Sequence, residues 1–184
     1  MNLWLRLLWI ALAAWRGDRI VLPDGPSRLS FRVWFHDLDA VGHMNNGRYL
    51  TLMDLGRTDL MLRSGLARAA WRHRWTPIAS AIIVRFRREM RLFQRFRLET
   101  RLLYWDERLA IIEQVFVMVG GPHDGHIAAR ALFKGGLYDR SIKQFVPVSR
   151  LMLETGVNAA QPSMTAEIAA FLKSDEVMKL AGRS

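Results

Sequence analysis

Four long segments in the second half of the chain constrain its fold more than any other feature. They begin at Pro77 and read PIASAIIVRFRRE, FRLETRLLYWDE, LAIIEQVFVMV and HIAARALFKGGLYD. Each is rich in β-branched and aromatic residues, which is typical of strands, and the connecting stretches WDERLA and VGGPHDGH have the length and composition of hairpin turns. Strands joined by hairpin turns lie antiparallel. The sequence therefore predicts an antiparallel sheet whose apolar face needs a cover.

A helix is predicted directly before these strands. The stretch NNGRYLTLMDLGRTDLMLRSG begins with Asn45 and Asn46, either of which can cap a helix, and ends at Gly65, where a helix usually stops. A glycine inside a helix costs about 1 kcal/mol relative to alanine, but it lets another backbone come close. One face of the helix collects Tyr49, Leu52, Met53, Gly56 and Leu60. This pattern predicts a buried central helix that the sheet wraps tightly.

The remaining elements complete an α+β order. RLSFRVWF, residues 28–35, alternates apolar and polar side chains and predicts one strand before the central helix. The tail from Pro147 predicts one or two further helices. The predicted order is helix, strand, central helix, four strands and helix, within one domain, because 184 residues suit a single core.

Composition excludes several kinds of site. The absence of cysteine excludes disulfides, a thiol nucleophile and thiolate zinc sites, and it fits a reducing compartment such as the cytoplasm. The chain also has no GxSxG motif and no phosphate-binding glycine loop, and His123 and His126 fall in a predicted hairpin turn rather than at metal spacing. No metal site and no cofactor are predicted.

Arginine dominates the charge of the chain. The net charge is +10, and only four of the 27 basic residues are lysine. Such a field attracts nucleic acid, anionic lipid or small ligands that carry phosphate, while an ordinary solvated surface is the other interpretation. No recognition helix or aromatic RNA-binding motif accompanies the charge, so no nucleic acid partner is predicted.

The amino end, MNLWLRLLWIALAAW, has a single charge, Arg6, in fifteen residues. We expect an apolar helix over residues 1–20 and one domain over residues 21–184. In a helix, Trp4 and Trp15 share a face and Arg6 lies roughly opposite. Three interpretations are open: a helix packed on its own domain or a partner subunit, a helix resting peripherally on a membrane surface, or a spanning or cleaved segment. The last is disfavoured because a spanning helix needs roughly 20 apolar residues.

Residues 36–49, HDLDAVGHMNNGRY, hold the candidate chemistry. Asp37 and Asp39 precede a helix, where a carboxylate can simply accept backbone N–H groups, worth about 1 kcal/mol. A carboxylate beside a helix N-terminus also places a base or nucleophile next to N–H donors that polarise an acyl carbonyl. Hydrolysis of an acyl group then needs no serine, cysteine or metal. From the residues alone, both interpretations are open.

A family resemblance favours the second interpretation. The pattern D-x-D-x-x-G-H-x-N-N-x-x-Y, followed by a helix and four long strands, resembles the hotdog-fold thioesterases of the 4-hydroxybenzoyl-CoA thioesterase type. RREMRLFQRFRLETRLLYWDERL, taken with the loop, is similar to the group of thioesterase superfamily member six and its bacterial relatives. The resemblance runs from about residue 28 to 140. It implies a hotdog fold, a curved antiparallel sheet wrapped around a central helix, with that core at 28–140 and extra N- and C-terminal helices.

The resemblance also implies an acyl-CoA thioesterase with assigned residues. Asp39 falls on the catalytic carboxylate of the family, which acts as general base or nucleophile. Asn46 falls on the residue whose backbone N–H polarises the carbonyl at the helix start. Gly42 lets the chain turn into that helix, and His43 and Asn45 lie close enough to orient water or substrate.

The implied partners follow from the substrate. Coenzyme A carries three phosphoryl groups, which gives the arginines a ligand: Arg85 and Arg87 share one face of the predicted strand, with Arg88 on the other. An acyl-carrier protein is the alternative thiol carrier. The implied assembly is a homodimer or tetramer whose subunit interface forms the active sites, and Asp37 is expected to support the loop.

Two other functions fit the same fold. One is a non-catalytic hotdog protein that binds acyl groups at a membrane surface through the N-terminal helix. The other is a dehydratase, which would need a catalytic histidine, with His43 or His36 the candidates in the loop.

Overall fold

The computed structural model describes residues 3–157 and 159–182. Met1 and Asn2 of the predicted N-terminal helix, and Arg183 and Ser184 of the predicted C-terminal extension, lie outside the described residues. The helices are α1 Leu3–Arg16, α2 Asn46–Ser64, α3 Leu66–His73, α4 Val148–Glu154 and α5 Ala166–Ala181. The strands are β1 Ser27–Arg32, β2 Trp75–Phe86, β3 Arg95–Trp105, β4 Ala110–Val119, β5 Ile127–Asp139 and β6 Gln144–Phe145.

The predicted antiparallel sheet is confirmed. Its strand order is β1-β3-β4-β5-β2, with short β6 added to β5, and each neighbouring pair is antiparallel. β3–β4 and β4–β5 are the hairpins that the turn sequences predicted. β1 and β2 are the two ends of this path. The sheet curls around α2, so the fold is the α+β hotdog fold that the resemblance implied.

The central helix has the boundaries and the buried face that the sequence predicted. The Asn45 side chain caps it by accepting the Gly47 N–H at 2.8 Å, and Gly65 ends it with φ of 87°. A Cβ at Gly56 would lie 2.4 Å from Thr100 Oγ1, so the group that approaches this glycine is a β3 side chain rather than a backbone. The predicted buried face, Tyr49, Leu52, Met53, Gly56 and Leu60, is buried against the sheet.

Helices α3 and α4 cover one end of the sheet, and α5 covers its outer face. The predicted element order omitted α3 and β6, whereas the two tail helices are present as expected. Ile168 and Phe171 of α5 pack on outer-face residues of β3, β4 and β5. Lys134 of β5 donates to Asp175 of α5 at 2.6 Å, which pins the helix to the strand.

Two strands end earlier than their sequence patterns predict. β1 stops at Arg32 rather than at residue 35, because the next residues form a tight 3-10 turn in which the Asp37 carboxylate accepts the Trp34 N–H at 3.0 Å. β2 stops at Phe86. Beyond it the N–H groups of Arg87 and Arg88 both donate to the carbonyl of Ala128, at 2.8 and 3.1 Å, so the regular alternation is lost. Arg87 therefore lies beyond the end of β2 rather than inside the strand that the sequence predicted.

Helix α1 packs on its own domain with its charged side inward. Arg6 is only 2% exposed and Ile10 is buried in the main core, whereas Trp4 and Trp15 are 73% and 83% exposed. The helix presents a row of large apolar side chains to the outside, Trp4, Leu5, Leu8, Trp9, Leu12 and Trp15. Within the described residues, no helix combines the length and the apolar character needed to cross a bilayer.

Candidate active site

The loop between β1 and α2 is closed by its own backbone hydrogen bonds. The Asp39 N–H donates to the His43 carbonyl at 2.8 Å, and the Gly42 N–H donates back to the Asp39 carbonyl at 3.2 Å. Gly42 has φ of 84°, a left-handed conformation that glycine adopts without strain, so its predicted role in turning the chain is consistent with the backbone. The result is a rigid turn that carries Asp39 at its first corner.

The Asp39 carboxylate is exposed and held in one orientation. Its Oδ1 accepts the backbone N–H groups of Val41 at 2.9 Å and His43 at 3.1 Å. These two hydrogen bonds hold the pKa of Asp39 below its ordinary value of 3.8, and the bond from the His43 N–H has the largest effect. The group is ionised at neutral pH. It has the protonation state that a base or nucleophile needs.

The start of α2 lies directly after this turn. Asn45 caps the helix through Gly47, and Asn46 is the first helical residue. The first N–H groups of a helix have no acceptor within the helix and carry its positive dipole end. Asn45, Asn46 and Gly47 are all exposed, as Asp39 is. A carboxylate and an N-terminal amide thus belong to one short, ordered and accessible segment.

Asp37 is the buried residue that fixes the loop to its surroundings. It is 1% exposed, its Oδ2 accepts from Arg6 Nη2 at 2.7 Å, and its Oδ1 accepts from Arg48 Nε and Nη2 at 3.0 and 2.8 Å. Burial acts to raise its pKa, but the hydrogen bonds from Arg6, the Trp34 N–H and Arg48 outweigh burial and hold the pKa below 3.8. Its carbonyl also accepts the Asn45 N–H at 2.9 Å. Asp37 supports the loop, as the sequence suggested.

His43 faces the segment that follows β2. Its Nε2 lies 3.0 Å from Glu89 Oε2, and its backbone forms a β-bridge with Arg91. The neighbouring Met44 N–H donates to the Met90 carbonyl at 2.8 Å. The loop is therefore paired with residues 89–91 rather than free to move alone.

The structure separates Arg85 from the loop. Val84 packs into the core around α2, so Arg85, the next residue, points to the opposite face of the sheet. There it lies across from Arg130, which pairs with Glu113 at 2.6 Å. Arg87, beyond the end of β2, is exposed and begins the segment that pairs with the loop. Of the predicted site residues, Asp39, Gly42, His43, Asn45 and Asn46 are brought together, and Arg85 is not.

A cavity of about 290 Å³ lies farther along α2, between that helix and strands β2 and β5. Its walls are mainly apolar, with Met61, Ile78, Phe133 and Leu137 among them. Arg57 crosses it with its guanidinium 4.0 Å above the Phe133 ring. An elongated apolar group could be held there.

Three contributors to this site were missed in the sequence. Arg6 and Arg48 bind the buried Asp37, and Glu89 contacts His43. For Arg6 the sequence did contain a clue: a lone charge in an apolar helix is unfavourable to bury without a partner, so an acidic partner could have been expected. Arg48 and Glu89 carried none. In the part of the chain that the structure describes, no three or more His, Cys, Asp or Glu side chains gather as metal ligands.

Comparison with known proteins decides the family. A family model described as the thioesterase-like superfamily matches residues 33–162, which include the loop, α2 and all the main strands after it. The chain belongs to the thioesterase-like superfamily. The resemblance drawn from the loop motif and the strands is therefore confirmed.

Relatives of this thioesterase-like chain, and solved structures of other proteins that are similar to it, agree with its membership in the family. Protein THEM6 of Danio rerio is 38% identical over 125 residues, a match covering 68% of this chain and 60% of the relative, so the chain spans less than two thirds of that relative's length. YbaW, a probable thioesterase from Escherichia coli, covers 72% of this chain and 99% of its own with TM-score 0.64 and 23% identity. A 1,4-dihydroxy-2-naphthoyl-CoA thioesterase from Synechocystis covers 71% and 95% with TM-score 0.61 and 10% identity. At these identities the two structures show the shared fold.

Proposed function

We propose that the protein is a thioester hydrolase that acts on acyl-CoA. The observation that carries the proposal is the placement of Asp39, an exposed and oriented carboxylate, in the turn that leads into the N-terminus of α2. Membership in the thioesterase-like superfamily supports it. Asp39 is the proposed base or nucleophile, and the Asn46 N–H is the proposed donor to the thioester oxygen.

The chemistry needs only these groups and water. As a base, the Asp39 carboxylate takes a proton from water while the oxygen of that water attacks the thioester carbon. As a nucleophile, its own oxygen attacks the thioester carbon, the C–S bond breaks to give a mixed anhydride and the thiolate, and water then hydrolyses the anhydride. In both routes negative charge develops on the carbonyl oxygen, and a helix N-terminal N–H stabilises that charge. The C–S bond then breaks, and the thiolate leaves and takes up a proton.

We place the acyl group along α2. Asp54, at the near end of the apolar cavity, lies eight residues after Asn46, which is about 12 Å along a helix axis. Residues 47, 50, 54 and 61 follow one another at helical spacing on the same side of α2. An acyl chain or aromatic acyl group bound there would leave its thioester at the helix start. The coenzyme end would then extend toward Arg87 and Arg88, both exposed beside the loop.

The proposed working unit is a homodimer. Asp39 and Asn46 are exposed in a single chain, and hydrolysis through a polarised carbonyl gains from excluding water. β2 is a twelve-residue edge strand that, among the described residues, pairs with β5 alone, and it exposes Ile82, Ile83 and Phe86. A long apolar edge of this kind is a site for pairing with another strand. A second copy paired there would cover the apolar cavity between α2 and strands β2 and β5.

The first prediction concerns Asp39→Asn. Asparagine keeps an oxygen that accepts the Val41 and His43 N–H groups, so the turn survives while the charge and the basicity are lost. We expect kcat to fall by about 10²- to 10⁴-fold. The measurement is thiol release from a panel of short, long and aromatic acyl-CoAs. The chain has no cysteine, so a thiol reagent detects only product.

Asp106→Asn is the matched control. The Asp106 carboxylate also accepts two backbone N–H groups in a turn, from Arg108 at 2.7 Å and Leu109 at 2.9 Å, but it lies in the β3–β4 hairpin. The control should retain native turnover. An Asp39→Asn variant that also retains it, within about threefold, would remove Asp39 from the mechanism.

The outward face of α1 favours one alternative, an acyl-binding protein without turnover that rests on a membrane. Trp4 and Trp15 are exposed, and so is Arg16 next to Trp15, which suits the interface of an anionic bilayer. Under that alternative the native chain releases no thiol from any member of the panel. It floats with anionic vesicles, and Trp4→Ser together with Trp15→Ser abolishes the flotation.

A further inference from the structure

The rotation of α1 places a charge inside the protein and tryptophans outside. Burying Arg6 while Trp4 and Trp15 remain exposed is opposite to what apolar burial favours. Burying an ion is unfavourable unless it has a partner, because the ion loses its hydration. The partner here is Asp37, whose Oδ2 lies 2.7 Å from Arg6 Nη2. The ion pair, together with the burial of Ile10, therefore sets which side of α1 faces the domain.

Asp37 connects α1 to both sides of the candidate active site. Its carboxylate binds Arg48 in the first turn of α2, and its carbonyl accepts the N–H of Asn45, the helix cap. Two residues later comes Asp39, and Leu38 between them bridges to Met44 across the loop. A shift of Asp37 would thus move the carboxylate and the helix N-terminus relative to each other.

Two further observations concern the inward side of α1. Arg6 Nη1 is buried and has no hydrogen-bond acceptor among the described residues. A buried donor left without a partner lowers stability, because its bond to water is lost and not replaced. Ile10, one turn later on the same side of α1, packs in the core cluster with Val33 and Met44, which flank the loop. α1 therefore binds the buried Asp37 carboxylate of the loop through Arg6, and through Ile10 it packs in the core cluster that includes residues at both ends of the loop.

We propose that Arg6 is a positioning residue that, through Asp37, holds Asp39 and the N-terminus of α2 at the spacing that hydrolysis requires. The N-terminal helix is then part of the support of the active site. Without the Arg6 contact the loop loses its fixed register on α2, although substrate still binds along the helix. This inference rests on the proposed thioesterase function for its kinetic readout, and its structural readout does not need turnover.

The test compares Arg6→Met with Arg101→Met in the full chain. Arg101 is the matched control, because it also pairs with a buried carboxylate, Glu113 at 2.5 Å, that keeps a second arginine, Arg130. For Arg6→Met we expect kcat to fall about 10- to 100-fold, with KM changed less than about threefold, because misplacement by about 1 Å affects the transition state most. Arg101→Met should leave both values native.

Amide hydrogen exchange supplies the second readout. The Asp39 and Asn45 N–H groups donate to the His43 and Asp37 carbonyls, and in Arg6→Met both should exchange at least about tenfold faster. Arg101→Met should leave them unchanged. Faster exchange in a protein that hydrolyses no thioester would retain the positioning role and discard the thioesterase.

Native exchange and native kcat in a folded Arg6→Met variant would overturn the proposal. If methionine beside Asp37 prevents folding, Arg6→Gln takes its place, because glutamine is polar but too short to reach the carboxylate. The same loss of kcat and protection is then expected. Native values in Arg6→Gln would equally overturn the proposal.

Discussion

Two aspartates two residues apart have opposite environments, and this difference assigns their roles. Asp37 is buried and satisfied by two arginines and a backbone N–H. Asp39 is exposed and oriented by two backbone N–H groups, with no cation bound to it among the described residues. The pKa of each lies below 3.8, so both are ionised at neutral pH. The exposure of Asp39 fits its proposed catalytic role, and the burial of Asp37 between two arginines fits a role in stability.

The residue-scale prediction compares stability in the two Asp→Asn variants. Asp37→Asn leaves Arg6 buried beside a neutral amide, which should lower the free energy of unfolding by about 3 kcal/mol at pH 7. The folded-state pKa of Asp37 is lowered, so its ionic stabilisation is present above pH 3.8 and is lost as the pH falls through the folded-state value. The difference from native should therefore shrink below pH 3.8.

Urea unfolding at pH 7 and near pH 3 measures this difference. Asp39→Asn serves as the control and should unfold with the native midpoint at pH 7, because its carboxylate is exposed. Equal midpoints for native and Asp37→Asn at pH 7 would contradict the anchoring role of Asp37.

At the scale of elements, the edge strand β2 carries the contact of the proposed dimer. Its outer edge has no partner strand in the described part of a single chain, whereas the opposite edge strand, β1, has only six residues and carries exposed Arg28 and Arg32. Short, charged edges resist pairing, and long apolar ones invite it. The proposed dimer therefore pairs β2 with its copy across a two-fold axis, and the same residues then face each other.

The element-scale prediction is that Ile83→Lys converts the dimer to a monomer. The substitution places two lysines near the axis, where like charges repel and where a charged edge opposes strand pairing. Sedimentation velocity measures the outcome. Val177→Lys, on the exposed side of α5, is the control and should stay dimeric. A dimer that persists in Ile83→Lys would place the interface elsewhere.

For the whole molecule, the net charge of +10 favours a substrate with several negative charges. Many arginines are bound to acidic partners, as Arg130 is to Glu113, but Arg87 and Arg88 are exposed beside the loop. Their field would attract the phosphates of coenzyme A over distances set by the ionic strength. The uncharged acyl group would interact only weakly with this electrostatic field.

The whole-molecule prediction separates these two parts of the substrate by salt. Raising the salt from 0.1 M to 1 M shortens the screening length from about 10 Å to about 3 Å. We expect kcat/KM for an acyl-CoA to fall about tenfold or more. The same acyl group carried on uncharged N-acetylcysteamine should be nearly unaffected. Equal salt dependence for both substrates would contradict phosphate recognition by this field.

Much of the fold and part of the site could be predicted because their causes are local. Asn45 caps α2 and Gly65 ends it through the backbone preferences of single residues. The main strands follow from β-branched runs between turns. The loop motif placed Asp39 beside a helix start because the two are only a few residues apart.

The tertiary structure alone decided the features that depend on partners distant in the chain. Whether burying Arg6 is favourable depends on its ion pair with Asp37, 31 positions away. No local sequence pattern shows whether that ion pair outweighs the cost of removing the arginine from water. The ends of β1 and β2 depend on hydrogen bonds to Asp37 and Ala128 that compete with the ladder. The α+β class, the limits of the central helix and the loop that holds Asp39 could all be read from local sequence patterns. Which side of α1 faces inward, and which face of the sheet Arg85 occupies, were decided by packing, because burial is a property of the whole fold.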